Sequence, residues 1–311
     1  MPVSNPSIMK RFILATTLLA FTGTLFAQQK KSKKTDLAPQ EKVCETLSCC
    51  QSPADDNGVD ANFMSVATTK DFGSMHQEPL PFVLEDQKGS MITYGCADGK
   101  TANAYEIKAS SATNNYLIVI QEWWGLNDHI KKEAEHFYNA LDGKVNVLAV
   151  DLYDGKVAAT VDSAQKFIRE ALSSNRKETI LKGAISHAGP KANIYSVGWC
   201  FGGMMSLQTA IMGGGQMKGC IMYYGTPEKD KAKIASIQCD VLGIFGTKDR
   251  SIPNETVDAF AANMKEAGKN FTLVRYDAVH AFANPSNPGY NKEFGDDAFN
   301  KSVAFLKERL K

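Results

Sequence analysis

A glycine-rich hexapeptide carries the most reactive side chain of a candidate site. Residues Gly198–Gly203 read G-W-C-F-G-G and lie between the β-rich run Ile194–Val197 and the helix-compatible stretch 204–210. A sharp strand-to-helix turn needs small residues two positions before and after its central side chain, because larger ones would collide with neighbouring backbone. Glycines flank Cys200 in this way, and a helix N-terminus beside it would favour a thiolate. The hexapeptide therefore predicts either a nucleophilic thiol or a small buried side chain between helix-packing glycines.

A thiol nucleophile needs a base and an acid that orients the base, and both residue types follow later strand-like runs. Asp249 lies in the loop after Val241–Phe245, and His280 comes after Phe271–Tyr276. The order cysteine, aspartate, histidine, with separations of 49 and 31 residues, is the nucleophile, acid, histidine order of α/β-hydrolases. Taken singly, Asp249 could cap a helix that begins near Pro253, and His280 could be structural. Together with the cysteine, they predict a catalytic triad.

Oxyanion stabilisation is predicted for two backbone N–H groups. The run Tyr116–Ile120 is followed by Gln121–Asn127, which reads Q-E-W-W-G-L-N. In this fold, one donor comes from the loop after the third strand and the other from the residue after the nucleophile, which selects Trp123 and Phe201. Glu122 is adjacent, and a carboxylate near a thiolate is repulsive unless one of them is protonated. Glu122 is therefore interpreted either as part of the site or as a surface or arginine-paired residue.

Short apolar strands alternating with helices must position these residues. Apolar side chains recur at spacings of three and four from Ile130 to Leu141 and from Phe299 to Leu310, which predicts two amphipathic helices. This alternation predicts an α/β fold with a mostly parallel central sheet, helices on both faces, and function at the carboxyl ends of the strands. The other predicted strands are a hairpin at 91–96 and 102–109, and the runs 145–150 and 220–224.

Composition and charge limit the classes of partner. The chain has 311 residues, of which 43% are hydrophobic and 22% charged, so it can bury a substantial core. Lys and Arg number 35 against 34 Asp and Glu, for a net charge of +1. Because sequence-independent binding of nucleic acid requires a strongly positive surface, we expect no nucleic-acid partner.

The N-terminus has the layout of a signal peptide. Lys10 and Arg11 precede an apolar run that ends at Ala27, and this run is shorter than the roughly 20 residues that span a bilayer. Residues 1–27 are therefore predicted to be a cleaved signal peptide, and the mature protein to be exported, periplasmic or secreted. The alternative is an uncleaved membrane anchor, since four lysines follow between positions 30 and 34. Membrane contact is expected only through this segment.

Residues 28–80 are predicted to form a flexible segment, because they are rich in polar residues and lack long apolar periodicity. The segment contains Cys44, Cys49 and Cys50 without a nearby histidine. Export favours a local disulfide over zinc for these cysteines, although the pairing stays open. The catalytic domain is predicted to cover residues 81–311.

With the four motifs Q-E-W-W-G-L-N, G-W-C-F-G-G, G-T-K-D-R-S-I-P and Y-D-A-V-H-A-F in this order, the chain resembles the dienelactone hydrolase family from about Leu80 to Lys311. The resemblance implies an α/β-hydrolase fold, and it implies that Cys200 is the nucleophile, His280 the base and Asp249 its orienting partner. It also implies that Glu122 keeps the resting cysteine protonated and turned away. Family members bind a substrate carboxylate with arginines, one of them in H-x-F-A-R, whereas Asn284 occupies that position here.

The leading functional hypothesis is hydrolysis of a small-molecule carboxylic ester or lactone through a Cys-His-Asp triad and an acyl-thioester. An exported, non-catalytic small-molecule binding protein on the same fold is the alternative, and redox sensing by Cys200 is a third. No sequence motif indicates a metal or nucleotide cofactor. The glycines at 213–215 are not followed by the Lys-Ser/Thr pair of a phosphate loop.

Overall fold

A computed structural model describes residues 58–310, and eight strands in this range form one sheet. Most strands coincide with apolar runs of the sequence, and all five residues of the fourth strand are buried. The strands are β1 (Ser90–Gly95), β2 (Thr101–Ile107), β3 (Asn115–Ile120), β4 (Asn146–Val150), β5 (Asn193–Trp199), β6 (Met217–Tyr223), β7 (Asp240–Gly246) and β8 (Phe271–Tyr276).

The strand order across the sheet is β1-β2-β4-β3-β5-β6-β7-β8. The predicted hairpin is confirmed, since β2 pairs antiparallel with β1, and it pairs antiparallel with β4 as well. All remaining pairs are parallel, so the carboxyl ends of β3 to β8 meet at one edge. The predicted α/β-hydrolase fold with a mostly parallel sheet is confirmed.

Helices connect the strands and pack against them. Ile130, Ala134 and Phe137 are buried on the third helix, as their spacing predicts. Asn127 caps this helix, because its side chain accepts a hydrogen bond from the backbone N–H of Ile130. The helices are α1 (Val59–Ala67), α2 (Lys70–Met75), α3 (Asp128–Ala140), α4 (Val161–Leu172), α5 (Arg176–Ala188), α6 (Phe201–Met212), α7 (Lys231–Ser236), α8 (Asn254–Glu266) and α9 (Lys292–Arg309).

The prediction of a flexible segment is wrong for residues 58–80, which we call the N-terminal arm. This arm contains α1 and α2, and Val59, Phe63, Ala67 and Phe72 on these helices are buried in the core. Only a few buried side chains, two of them aromatic, dock the two short helices, which explains why no long apolar period marks the segment. The ring of Phe63 stacks on Phe201 with centroids 5.9 Å apart and meets the edge of Phe72 at 6.0 Å.

Polar contacts also attach the arm to the domain. The ammonium group of Lys177 on α5 is buried and lies 2.8 Å from carboxylate oxygens of both Asp60 and Glu178. Farther along the arm, the backbone N–H of Leu80 donates to the carbonyl of Ser286 at 3.0 Å. A buried ammonium must be paired to avoid a large desolvation cost, so Asp60 places α1 against α5.

The predicted signal peptide at 1–27 lies outside the described residues, as do Cys44, Cys49 and Cys50. Within residues 58–310, no helix combines the length and apolarity that a bilayer crossing requires.

Candidate active site

Cys200 sits on a strained turn between β5 and α6. Its backbone has φ 55° and ψ −115°, a conformation that L-residues rarely adopt. A Cβ atom at Gly198 would collide with the carbonyl group of Gly202, and one at Gly202 would collide with the carbonyl oxygen of Ile120. The two glycines are therefore needed for the turn, which presents the cysteine at the edge where the parallel strands end.

Asp249 and His280 come together from the loops after β7 and β8. Nδ1 of His280 lies 2.6 Å from Oδ2 of Asp249, and both side chains are fully buried. The other oxygen of Asp249 accepts hydrogen bonds from the backbone N–H groups of Ser251 and Ile252 at 2.8 and 3.0 Å. Asp249 therefore holds its own loop and orients the imidazole at the same time.

The surroundings of His280 make it a strong proton acceptor. Burial alone would lower its pKa, whereas the carboxylate of Asp249 raises it, and Cys200 raises it further once the thiol has lost its proton, so that the net shift is well above the ordinary value. Because Nδ1 faces the carboxylate, Nε2 is left for the reacting group. This Nε2 has no hydrogen-bond partner within the described part of the chain.

The sulfur of Cys200 faces two imidazoles. One ring nitrogen of His280, one of His76 and the sulfur all lie within 4.8 Å of one another. Burial raises the pKa of the Cys200 thiol, and the opposing influence of His280 is smaller. Burial of the side chain therefore favours the thiol over the thiolate.

Glu122 is buried in the same site, and the interpretation of it as a surface residue is wrong because its exposed fraction is 2%. Its two carboxylate oxygens accept hydrogen bonds from the hydroxyl of Tyr224 at 3.4 Å and from the amide of Asn284. Burial raises the pKa of Glu122 to about 7, despite the opposing effects of His280, Tyr224 and Asn284. This carboxyl group therefore changes its protonation near neutral pH.

Asn284 occupies the position at which the H-x-F-A-R pattern has arginine. Besides contacting Glu122, its carbonyl oxygen accepts hydrogen bonds from the backbone N–H and the hydroxyl of Ser286 at 2.8 and 2.7 Å. A cavity of about 80 Å³ lies beside Glu122 and Asn284, with Phe82, Ile130 and Trp199 also in its wall. The position offers a neutral amide to this cavity, not a cation.

The two residues predicted to form the oxyanion hole are both at the site. Phe201 begins α6, and its backbone N–H is directed at the sulfur of Cys200. Trp123 follows β3 and is fully buried. The structure thus brings together Cys200, Asp249, His280, Glu122, Trp123 and Phe201, the six residues that the sequence analysis selected.

His76 also lies at the site, although the sequence patterns did not predict it. This residue directly follows α2 in the N-terminal arm, and its ring centroid lies 4.1 Å from that of Phe72, 4.6 Å from Trp123 and 5.0 Å from His280. The available signal was the pair Phe63 and Phe72 within a polar stretch, which is too sparse to define a helical period. Only the packing of these rings brings His76 to the sulfur.

His76, Cys200 and His280 are also the group of described residues whose donor atoms could hold a metal ion. Imidazole and thiolate are ligands that Zn²⁺ accepts. The same arrangement also suits a thiol nucleophile with two imidazole neighbours.

Comparisons with known proteins agree with this fold. Residues 102–310 match a model described as the dienelactone hydrolase family. The chain is 28% identical over 225 residues to "Protein usf" of Aquifex pyrophilus, a match that covers 67% of this chain and 96% of that protein. It is 29% identical over 230 residues to a Saccharolobus solfataricus protein named "Putative carboxymethylenebutenolidase", covering 61% of this chain and 88% of that one.

A solved structure is also similar. A dienelactone hydrolase-like promiscuous phosphotriesterase from metagenomic libraries superposes with a TM-score of 0.62 at 20% sequence identity. The superposition covers 72% of this chain and all of that one (100%). At this identity the likeness concerns the fold, so its substrates carry no argument for this chain.

Proposed function

The chain belongs to the dienelactone hydrolase family, and on that premise we propose that it hydrolyses carboxylic esters or lactones with Cys200 as nucleophile, His280 as base and Asp249 as the orienting acid. The assignment of the chain as an ester or lactone hydrolase is confirmed by its relatives. The observation that carries the proposed residue roles is the 2.6 Å contact between Asp249 and His280, which leaves the opposite edge of the imidazole beside the cysteine.

In the proposed first half-reaction, Nε2 of His280 takes the thiol proton of Cys200 and the sulfur attacks the carbonyl carbon of the substrate. The oxyanion that forms is stabilised by the backbone N–H groups of Trp123 and Phe201. When the tetrahedral intermediate collapses, the carbon–oxygen bond breaks and the leaving oxygen takes the proton from His280. The acyl group remains on the sulfur as a thioester.

In the second half-reaction, His280 accepts a proton from water, and the resulting hydroxide attacks the thioester. Collapse of this intermediate breaks the carbon–sulfur bond, and the proton returns from His280 to the sulfur. The products are a carboxylic acid and the free Cys200 thiol. Asp249 keeps Nδ1 of His280 protonated throughout, so that Nε2 is the nitrogen that exchanges protons.

We infer that the substrate does not have to carry a negative charge on the part that lies near Asn284. The amide at this position is neutral, and Lys132 in the wall of the same cavity is accompanied there by Glu122 and Glu133. Arg176 is held by Asp98 at 3.1 Å and Asp154 at 2.6 Å on another part of the surface. Neutral esters and lactones are therefore favoured over lactones that carry a free carboxylate.

The test is a comparison of Cys200→Ala with Cys220→Ala, assayed with p-nitrophenyl acetate. Cys220 is a matched control, because it is a fully buried thiol on β6 that contacts Ser206 outside the site. We expect Cys200→Ala to lose hydrolysis by about 10⁴-fold or more, whereas Cys220→Ala stays close to the unmodified enzyme. An acetyl group should be trapped on Cys200 after rapid quenching.

Two outcomes would contradict this assignment. Full activity in Cys200→Ala would remove the cysteine from the mechanism. Absence of turnover by the unmodified protein on a panel of lactones, aryl esters and acyl-sugar esters, with one of them raising the melting temperature, would instead support the alternative of a binding protein.

We also propose that residues 1–27 direct export and are removed. The expected result is a mature chain that begins near Gln28, determined by N-terminal sequencing of the protein from the extracytoplasmic fraction. A chain that retains residues 1–27 in the membrane fraction would support the anchor instead.

A further inference from the structure

His76 presents a fixed proton acceptor to the proposed nucleophile. Its Nδ1 lies 2.8 Å from the backbone carbonyl of Phe72, four residues earlier. A carbonyl oxygen can only accept, so Nδ1 carries the proton and Nε2 carries the lone pair. That Nε2 lies 3.7 Å from the sulfur of Cys200. Between these two atoms, only the thiol has a proton to donate.

The environment keeps His76 neutral. Burial and the positive charge of His280 lower its pKa to about 3, and the hydrogen bond to the Phe72 carbonyl is too weak to offset them. His76 is 1% exposed and packs against the rings of both Phe72 and Trp123. It therefore cannot serve as the base that drives the reaction, because burial disfavours the imidazolium that it would have to become.

We propose that His76 is a positioning residue that holds Cys200 as a thiol, with its proton directed at Nε2 of His76, until substrate enters the site. This inference rests on the proposed role of Cys200 as nucleophile. On substrate binding, the S–H bond turns from His76 to His280, and His280 removes the proton as the sulfur forms its bond to carbon. After deacylation the proton returns from His280 to the sulfur, and the thiol again donates to His76.

This device lies outside the part of the chain that the family shares. The family match begins at residue 102, whereas His76 belongs to the N-terminal arm. Within the shared part, the resemblance implies that Glu122 keeps the resting cysteine protonated and turned away. In this structure, Glu122 accepts hydrogen bonds from Tyr224 and Asn284. The sulfur lies against the arm instead, so the arm supplies a resting partner of its own.

Other ionisable groups act on the sulfur from the surrounding elements. His280, oriented by Asp249, favours the thiolate, whereas Glu122 disfavours it when ionised. Tyr153 and Tyr224 also interact with the cysteine, and burial raises the pKa of each well above its ordinary value, so both stay neutral. The lone pair of His76 acts in the same direction as Glu122, because it stabilises the thiol and repels the thiolate.

The experiment measures alkylation of Cys200 by iodoacetamide as a function of pH on the full chain, read by mass spectrometry of the peptide that contains Cys200. His76→Phe keeps the ring and removes the acceptor. We expect the midpoint of the pH profile to fall and alkylation at neutral pH to become about 3- to 10-fold faster, as loss of one hydrogen bond to the thiol predicts. An unchanged midpoint, or one that rises, would overturn the proposal.

Phe63→Leu is the matched control, because Phe63 belongs to the same arm and packs on Phe72 and Phe201, but is not a partner of the sulfur. Its midpoint should match that of the unmodified protein, and a shift equal to that of His76→Phe would overturn the proposal by assigning the effect to packing. Treatment with a chelator should leave the profile unchanged. A chelator-dependent profile would assign the three side chains to a metal instead.

A second measurement uses the unmodified protein and so does not depend on whether a variant folds. Ring ¹⁵N shifts should show His76 as the neutral tautomer with the proton on Nδ1 from roughly pH 5 to 9. A proton on Nε2, or titration in that interval, would overturn the proposal. Neither measurement uses an ester substrate. A failure of the proposed ester hydrolysis can therefore be distinguished from a failure of the role proposed for His76.

Discussion

The loops at the carboxyl ends of the strands and the N-terminal arm reach the same sulfur by different physical routes. Cys200, Asp249 and His280 follow β5, β7 and β8, whose parallel pairing places their ends at one edge of the sheet. His76 follows two helices of nine and six residues that dock through side chains. Backbone hydrogen bonding therefore positions the proposed triad, whereas aromatic packing positions the additional imidazole.

The loops and the arm therefore act on the Cys200 thiol in different ways. The loops carry the groups that take and return a proton, with Asp249 and His280 bonded to each other. The arm contributes a neutral acceptor and covers the sulfur, which is 0% exposed. Substitutions in the loops should therefore change the rate of hydrolysis. In the arm, substitutions of packing residues should change stability, and substitution of His76 should change the state of the resting thiol.

The largest expected effect is that of Asp249→Asn. The carboxylate of Asp249 stabilises the tautomer of His280 that carries its proton on Nδ1 and leaves Nε2 free to accept one. Asparagine lacks this carboxylate, so hydrolysis of p-nitrophenyl acetate should fall about 10⁴-fold. Asp277→Asn is the control, since Asp277 is an exposed residue nearby that pairs with Lys248. A loss in Asp249→Asn no greater than in this control would show that the loops do not set the rate.

Phe63→Ala should have the next largest effect, on the arm. Removal of a buried aromatic ring should destabilise the protein by about 3–5 kcal/mol, or open the arm locally. Urea unfolding measures the first effect, and amide hydrogen exchange of residues 59–75 measures the second. Val83→Ala, at a side chain that is 72% exposed, should change neither. Unaltered stability and exchange in Phe63→Ala would mean that the rings do not hold the arm.

Glu122→Gln should change how stability depends on pH. The pKa of Glu122 in the folded protein is raised from 4.5 to about 7, so its stabilising contribution is complete below pH 4.5 and is lost as pH rises through 7. Glutamine resembles the protonated acid and does not ionise. The variant should therefore gain stability over the unmodified protein as pH rises, by up to about 3 kcal/mol in alkaline solution.

Urea unfolding in acidic and alkaline buffer measures this difference. Glu293→Gln, on the exposed side of α9, provides the control and should show no comparable pH-dependent gain. A gain for Glu122→Gln that is equal at both pH values would contradict the raised pKa.

The smallest expected effect is that of Lys177→Met. The ammonium group is buried, but its partners Asp60 and Glu178 are 35% and 27% exposed and can be solvated once it is removed. A hydrophobic side chain of similar length should therefore cost only about 1 kcal/mol. Chemical unfolding of Lys177→Met and Phe63→Ala under the same conditions ranks the contributions of the ion pair and of the aromatic ring to stability. A larger loss in Lys177→Met than in Phe63→Ala would make the ion pair, not the aromatic rings, the main attachment of the arm.

Much of the site could be predicted because the sequence patterns that mark it extend over only a few residues. The glycines around Cys200 are dictated by contacts within one turn, since a Cβ at either Gly198 or Gly202 would meet neighbouring backbone. The continuous apolar runs that became β3 to β7 are mostly buried, as such runs predict for strands covered on both faces. The order of Cys200, Asp249 and His280 then follows the order of the strands.

The partners of Glu122 and the place of His76 could not be predicted in this way. Tyr224 and Asn284 lie 102 and 162 residues from Glu122 along the chain, and no local pattern links them to it. His76 lies 124 residues before Cys200, in a segment whose composition resembles that of a disordered chain.

The sequence by itself determined the sheet, the turn and the order of the reactive groups, because these depend on backbone conformation and on periodicity within a few residues. Only the tertiary structure decided that the arm docks, that Glu122 is buried beside Asn284, and that a neutral imidazole faces the thiol. Those outcomes depend on which side chains meet across the fold, where a few buried rings outweigh the polar composition of the segment that carries them.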